Sequence, residues 1–243
     1  RNLNAGLWVA TYISVFLLSQ SLALSILIRD MMQRRAIGAA QAAELVLAAK
    51  APAVLAVAAL IGLPILFFLV HLRRISWTEL LLQKPVPLKR LLGYFLLGLL
   101  LNQLLYLIIS LLQTFPFFQE LYVGYVKSTA NLNSDGSPRN VFSLLLMMGF
   151  VVPVYEEVVY RALIFRELAA VSPVRVAAVA QAIIFAVCHG NLLQGMFSFV
   201  LALVLSRVYL SNMSIWAPCA IHCGFNTSAY LFQMLLLRLA AAA

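Results

Sequence analysis

Two adjacent glutamates interrupt an apolar stretch of the chain. Glu156 and Glu157 lie within residues 141–165, where Arg161 is the only other charged residue. An ionisable group within an apolar segment of this length costs roughly a few kcal/mol, so it indicates a functional site. Residues four apart share a helix face, whereas neighbours point about 100° apart. We therefore expect Glu157 to pair with Arg161, which leaves Glu156 free to act as the reagent.

Two of the three histidines also lie in apolar segments, each with a partner four residues away. Phe185 precedes His189, and His222 precedes Asn226, so each pair is predicted to share a helix face. Either histidine alone would more often be an interhelical hydrogen-bonding group. Because ionisable groups in a membrane bundle face inward and pair with one another, we expect both histidines to meet Glu156.

Together these residue types can hydrolyse an amide bond without a covalent nucleophile. A carboxylate and an imidazole can share the deprotonation of a water molecule. An asparagine amide and a second imidazole can donate hydrogen bonds to the developing oxyanion. A serine nucleophile is not favoured, since no serine stands in a G-x-S-x-G turn. Cys188 adjoins His189, but neighbouring residues of one helix do not face each other.

A metal site is the alternative that the same residues leave open. Glu156, His189 and His222 could supply three ligands to a zinc ion with an open fourth position. The H-E-x-x-H spacing is absent from the sequence, so no local pattern supports this arrangement. We expect no cofactor, with zinc as the competing hypothesis.

The composition identifies an integral membrane protein. The 243 residues are 64% hydrophobic and 10% charged, with a mean hydropathy of +0.98. Soluble domains are about 45–50% apolar and about 25% charged. The formal charge of +9 fits loops that meet anionic lipid headgroups, and its scatter over several loops argues against nucleic acid as a partner. Three cysteines without CxxC spacing do not fit a disulfide framework.

Apolar runs predict an all-α polytopic transmembrane helix bundle of about seven spans (roughly six to eight), since about 20 residues cross the hydrocarbon core. The runs are residues 7–28, 45–72, 91–112, 141–165, 174–190, 192–210 and 215–237. Residues 75–82 are expected to form a short interfacial helix, and residues 131–138 an exposed loop. His189 reaches the depth of Glu156 only if its helix starts near Pro173 and continues beyond Gly190.

The three patterns resemble, in order, the E-E-x-x-x-R, F-x-x-x-H and H-x-x-x-N motifs of a known family. This is the CPBP family of intramembrane proteases (CAAX protease and bacteriocin-processing, also called Abi), which includes the CAAX prenyl protease 2 type. The resemblance covers roughly residues 141–235. We accordingly divide the chain into N-terminal transmembrane helices and loops (1–140), a catalytic core with the motifs (141–239) and an added alanine tail (240–243).

The resemblance also implies roles for the motif residues. Glu156 would be the general base that activates water, with His189 assisting. The oxyanion would be held by His222 and Asn226. The supporting residues, which hold the motif helices in place, would be Glu157, Arg161 and Phe185.

The implied activity is that of a glutamate-type intramembrane endopeptidase in a multi-pass protein of the bacterial cell membrane. Its partners would be the lipid bilayer and a membrane-associated peptide or protein substrate. Peptide-pheromone precursors, bacteriocin precursors and prenylated C-termini are the substrate classes that the resemblance implies. A zinc-dependent version of the same protease and a non-catalytic immunity or regulatory protein are the alternatives. A transporter is disfavoured because the sequence has no repeated halves.

Overall fold

The computed structural model describes residues 2–49, 51–81, 84–129, 142–143 and 145–242. These residues form ten helices, which confirms the predicted all-α class. Six precede the motif helix: α1 (Asn2–Arg35), α2 (Ala39–Ala49), α3 (Ala51–Leu72), α4 (Trp77–Leu81), α5 (Leu88–Leu112) and α6 (Pro116–Thr129). The motif helix α7 is continuous through Met147–Val151, Val152–Glu157, Val158–Phe165 and Arg166–Ala169. It is followed by α8 (Val174–Val187), α9 (Leu192–Asn212) and α10 (Trp216–Ala242).

Within the described part of the chain, four helices are long and apolar enough to cross a membrane. They are Leu3–Arg35, Ala53–Leu72, Leu88–Leu112 and Leu192–Asn212, and Val174–Val187 is a shorter apolar helix. An integral membrane protein is therefore confirmed, while the number of seven spans stays a prediction. The predicted loop at 131–138 and the division at 140/141 lie outside the described residues.

One predicted boundary is wrong. Helix α1 continues to Arg35, beyond the end of the apolar run 7–28. The predicted run 45–72 is described as α2 up to Ala49 and as α3 from Ala51, and residue 50 between them lies outside the described residues. The short interfacial helix predicted at residues 75–82 corresponds to α4.

The motif helix α7 lies at the buried centre of the bundle. All eight residues of Val158–Phe165 are buried, so this part of the helix meets protein on every side. Helices α1, α3, α8 and α10 pack around α7. On the α1 side, the ring of Phe16 lies 5.4 Å from that of Tyr155 and 5.5 Å from that of Tyr160, measured between centroids. The charged motif is thus held by an apolar and aromatic shell.

Glycines bring α5 and α10 into close contact. A Cβ atom at Gly98 would lie 2.0 Å from the carbonyl oxygen of Ile221, and one at Gly224 would lie 2.0 Å from that of Phe95. Small residues allow membrane helices to approach in this way. The exposed leucines of α5 recur at helical spacing on its outer side: Leu92, Leu96, Leu100, Leu104, Leu107 and Leu111. Because α10 carries His222, this contact sets the position of the second histidine motif.

Wide π-helical turns flank the segment of α7 that carries the acids. The backbone N–H of Val152 donates to the carbonyl oxygen of Met147, five residues earlier. Such turns occur often at functional sites. The next donor in this register would be residue 153, but Pro153 has no N–H. The carbonyl oxygen of Met148 is consequently available to a side chain from another helix.

Candidate active site

Glu157 and Arg161 form the ion pair that their spacing predicts. Nη1 of Arg161 donates to Oε1 of Glu157 over 3.0 Å, and both side chains are fully buried. The same carboxylate oxygen lies 2.7 Å from Nδ1 of His222 on α10. Glu157 therefore joins α7 to α10 as well as pairing along its own helix. The sequence predicted the first of these contacts and missed the second.

Glu156 points away from this pair and towards a cavity. Its side chain is 14% exposed, and its Oε2 lies 3.5 Å from Nε2 of His222. His222 thus stands between the two acids, with one ring nitrogen towards each. A carboxylate only accepts hydrogen bonds, so a ring nitrogen of His222 can bond to either acid only by donating a hydrogen.

His189 lies in a turn just past the end of α8. Helix α8 ends at Val187, and Gly190 has φ +67°, the left-handed conformation that glycine adopts readily. The helix therefore does not continue beyond Gly190, which was the condition set for His189 to reach the depth of Glu156. The turn, rather than a longer helix, brings His189 to the cavity. It also places Cys188 on the cavity wall, so the helix-face argument against a Cys188–His189 pair does not apply.

The hydrogen bond of His189 fixes the tautomer of its ring. Nδ1 lies 2.7 Å from the carbonyl oxygen of Phe185. A carbonyl oxygen only accepts, so Nδ1 carries the hydrogen in the neutral ring and Nε2 keeps its lone pair. This nitrogen can therefore accept a proton or a hydrogen bond.

The ring of Phe185 packs against Arg161 and both motif histidines. Cζ of Arg161 lies 4.8 Å from the ring centroid, within the range of a cation–π contact. The edge-to-face contacts of Phe185 are with His189 at 4.7 Å, with His222 at 6.0 Å and with Tyr160 at 4.8 Å between centroids. Phe185 thus restrains both imidazoles. Sequence reasoning missed Tyr160, although its place beside Arg161 in the motif was a usable signal.

Asn226 is held by the backbone carbonyl that Pro153 leaves free. Nδ2 of Asn226 donates to the carbonyl oxygen of Met148 over 3.0 Å. An asparagine amide has two hydrogens on this nitrogen, so one remains for another acceptor. The packing of α10 on α7 thus fixes the direction in which Asn226 can donate.

The side chains of Glu156, His189, His222 and Asn226 all line one cavity of about 250 Å³. A water molecule occupies about 30 Å³ in the liquid, so the cavity has room for several. Helices from both halves of the chain contribute to the wall, which is mainly apolar and aromatic with a few neutral polar groups. Among the described wall residues, Glu156 is the only carboxylate. The cavity can therefore hold water beside the carboxylate of Glu156, while most of the remaining wall is apolar.

No metal-ligand set is found within the described residues. No group of three or more His, Cys, Asp or Glu side chains is placed to hold a metal ion there. Glu156, His189 and His222 share a cavity wall, and Nδ1 of each histidine faces an oxygen of the protein. Histidines that bind a metal through Nε2 commonly donate from Nδ1 in this way, so zinc stays the competing hypothesis and chelation is its test.

Comparison with protein-family models gives a match over residues 138–228 to the family described as type II CAAX prenyl endopeptidase, Rce1-like. The matched segment contains every candidate residue from Glu156 to Asn226. No curated protein and no solved structure matches the chain. The match confirms the resemblance to CAAX proteases and covers nearly the same residues.

Proposed function

Since residues 138–228 match the Rce1-like family of type II CAAX prenyl endopeptidases, we propose that the chain is a glutamate-type intramembrane endopeptidase. The observation that carries this proposal is the shared cavity of Glu156, His189, His222 and Asn226. One carboxylate there is in contact with the cavity while its neighbour is engaged in an ion pair. In this proposal the set supplies a base, a second proton acceptor and two oxyanion donors, which together suffice for amide hydrolysis.

Glu156 takes a proton from a water molecule in the cavity, and the water oxygen attacks the scissile carbonyl carbon. In support of this role, Glu156 is the partly exposed acid, whereas Glu157 is fully buried against Arg161. His189 assists because its Nε2 keeps a lone pair. A positioned general base contributes about 10²- to 10⁴-fold to the rate.

His222 and Asn226 hold the oxyanion that forms on the carbonyl oxygen. The contact between Nε2 of His222 and Glu156 is long, at 3.5 Å, and it weakens once Glu156 takes the proton from water. The N–H of His222 is then available to the oxyanion. Asn226 supplies its second amide hydrogen. Removing one such donor costs about 10²- to 10³-fold in kcat. The intermediate collapses when the C–N bond breaks and the leaving nitrogen takes the proton from Glu156.

The substrate is a membrane-associated peptide or protein with an unpaired backbone at the scissile bond. Candidate classes are precursors of peptide pheromones or bacteriocins and prenylated C-termini. The mainly apolar wall supports a substrate segment with apolar side chains. No metal takes part in the proposed steps, and the catalytic water is activated by protein groups alone.

The test is cleavage of a panel of membrane-anchored peptides, half of them prenylated near the C-terminus, by purified protein. Glu156→Gln and His189→Ala are each expected to lower kcat/KM by at least about 10²-fold. Glu44, which is exposed on α2, offers a matched control: Glu44→Gln is expected to cleave like wild type. Thermal unfolding verifies that each variant is folded.

Chelation separates the proposal from its alternatives. Cleavage is expected to persist in a strong chelator. Loss of cleavage on chelation, with recovery on adding zinc, would establish the zinc-dependent version instead. Wild-type activity in Glu156→Gln would contradict the glutamate mechanism. A wild-type protein that cleaves no peptide of the panel would favour the non-catalytic alternative.

A further inference from the structure

A second asparagine lies in the cavity wall, and its side-chain oxygen is an unused acceptor. Asn102 of α5 is only 2% exposed and forms part of the cavity wall. Its Oδ1 has no hydrogen-bond partner among the described residues. A buried polar atom that is left unpaired costs free energy, so native proteins seldom retain one without a use.

The packing of α5 on α10 sets the level of Asn102, that is, its height along the helix axis relative to the residues of α10. Gly98 lies against the backbone of α10, and Nε2 of Gln103 donates to Oγ of Ser228 over 2.7 Å. Asn102 follows Gly98 by one helical turn and directly precedes Gln103. It therefore lies close to the level of Asn226, two residues before Ser228. Asn102 is therefore a wall residue at about the level of the proposed oxyanion donors.

The chemistry of the wall indicates what this acceptor binds. Apart from the four catalytic candidates and Asn102, the polar wall residues are neutral: Gln20, Tyr106, Tyr125, Tyr160, Cys188, Gln194, Ser198 and Tyr230. Glu156 is the only described wall residue with a fixed charge. This surrounding suits an uncharged donor. An extended peptide has backbone N–H groups without internal partners, and each one needs an acceptor in a dry site.

We propose that Asn102 is a substrate-binding residue, whose Oδ1 accepts a hydrogen bond from one backbone N–H of an extended peptide in the cavity. The inference rests on the proposed function and deepens it, because it assigns a contact beside the scissile bond. The free protein leaves this acceptor unpaired, and the peptide satisfies it.

The experiment replaces backbone N–H groups of a cleaved panel peptide by ester oxygens, one position at a time, and leaves the scissile amide intact. In wild type, the ester at one position is expected to raise KM about tenfold with little change in kcat. Asn102→Leu is expected to raise KM for the all-amide peptide by a similar factor. The same ester is then expected to cost nothing further in Asn102→Leu.

Two further variants and a stability measurement complete the design. Asn102→Asp keeps an acceptor oxygen and is expected to keep the sensitivity to that ester. Ser110→Ala, an exposed position on the same helix, is expected to behave like wild type. Without substrate, Asn102→Leu is expected to be at least as stable as wild type, because it removes an unpaired buried oxygen.

The outcomes separate this inference from the function on which it rests. Equal ester effects in wild type and Asn102→Leu would overturn the role of Asn102, and so would an Asn102→Leu protein that is less stable than wild type or does not fold. The proposed function stands in either case if Glu156→Gln abolishes cleavage in the same assay. If wild type does not cleave, or Glu156→Gln cleaves equally well, the proposed function fails and this inference fails with it.

Discussion

Two Glu–Arg pairs, one fully buried and one partly buried, occupy different parts of this molecule. The pair of Glu157 and Arg161 lies beside the cavity, with both side chains fully buried. The pair of Glu167 and Arg73 lies at the ends of α7 and α3, with side chains 10% and 21% exposed. Both pairs tie helices together, but they differ in how completely their hydrogen-bonding groups are used.

The pair at the helix ends is complete. Both terminal nitrogens of Arg73 meet Glu167, with Nη2 at 3.3 Å from Oε2. Nη1 of Arg73 also donates to the hydroxyl of Tyr12 over 2.7 Å, and its Cζ lies 4.3 Å above the Trp8 ring. An arginine that binds a carboxylate through two nitrogens and stacks on an aromatic ring has a fixed orientation, so Arg73 holds the ends of α3 and α7 together.

The pair beside the cavity is incomplete. Nε of Arg161 and Oε2 of Glu157 have no hydrogen-bond partner among the described residues. Oε1 of Glu157 is shared between Arg161 and the ring of His222. In the pair at the helix ends, the two partners bond mainly to each other, as expected of a structural ion pair. In the pair beside the cavity, one oxygen of Glu157 also contacts His222, so this pair positions a histidine as well.

The largest effect is expected from breaking the central pair. Arg161→Met leaves Glu157 as a fully buried charge with only His222 beside it. Removing one partner of a buried ion pair costs about 3–5 kcal/mol. Chemical unfolding in detergent micelles measures this loss. Cleavage by the remaining folded protein is also expected to fall, because Glu157 no longer holds His222 in the same place.

A matched arginine provides the control for this change. Arg207 of α9 is exposed, and Arg207→Met is expected to leave both unfolding and cleavage unchanged. If Arg161→Met proved as stable as wild type, the central pair would not be the anchor described here.

A smaller effect, confined to stability, is expected from the pair at the helix ends. Arg73→Met removes charge-assisted hydrogen bonds to Glu167 and the contact with Trp8. We expect a loss of about 1–3 kcal/mol in the free energy of unfolding. Because this cluster does not line the cavity, kcat/KM per folded molecule should stay at the wild-type value. A drop in kcat/KM at full folding would show that the two pairs do not differ in the way proposed.

The sequence predicted the helical class well and the ends of the helices less well. Apolar runs mark the membrane interior, but a helix need not stop where the apolar residues stop. Residues 29–35 include four charged side chains and still form part of α1. The π turns of α7 were missed because a hydrophobic pattern hardly distinguishes wide turns from α turns within a few residues.

Contacts within one helix were more predictable than contacts between helices. Spacing alone predicted the pairing of Glu157 with Arg161. The contact of Glu157 with His222 depends on how α10 is positioned against α7, which spacing does not report. Asn102 gave a usable signal, since it is a polar residue within the apolar run 91–112, but it was passed over.

The smallest effect is expected from a backbone change that alters only the setting of Asn226. Pro153→Ala restores an N–H that can compete with Nδ2 of Asn226 for the carbonyl oxygen of Met148. The hydrogen bond that orients the amide of Asn226 is then weakened, and the amide is less often aimed at the oxyanion. We therefore expect kcat to fall about threefold with KM unchanged. Steady-state cleavage of a panel peptide measures both constants.

Two comparisons decide whether Pro153 acts through Asn226. Pro64 lies inside α3, outside the catalytic cluster, and Pro64→Ala is expected to leave kcat at the wild-type value. In an Asn226→Ala background, Pro153→Ala is expected to cause no further loss, because residues that act through one contact are not additive. Full additivity of the two changes would mean that Pro153 affects the site by another route. The missing N–H of Pro153 would then be a feature of helix shape alone, as we expect for Pro64 of α3.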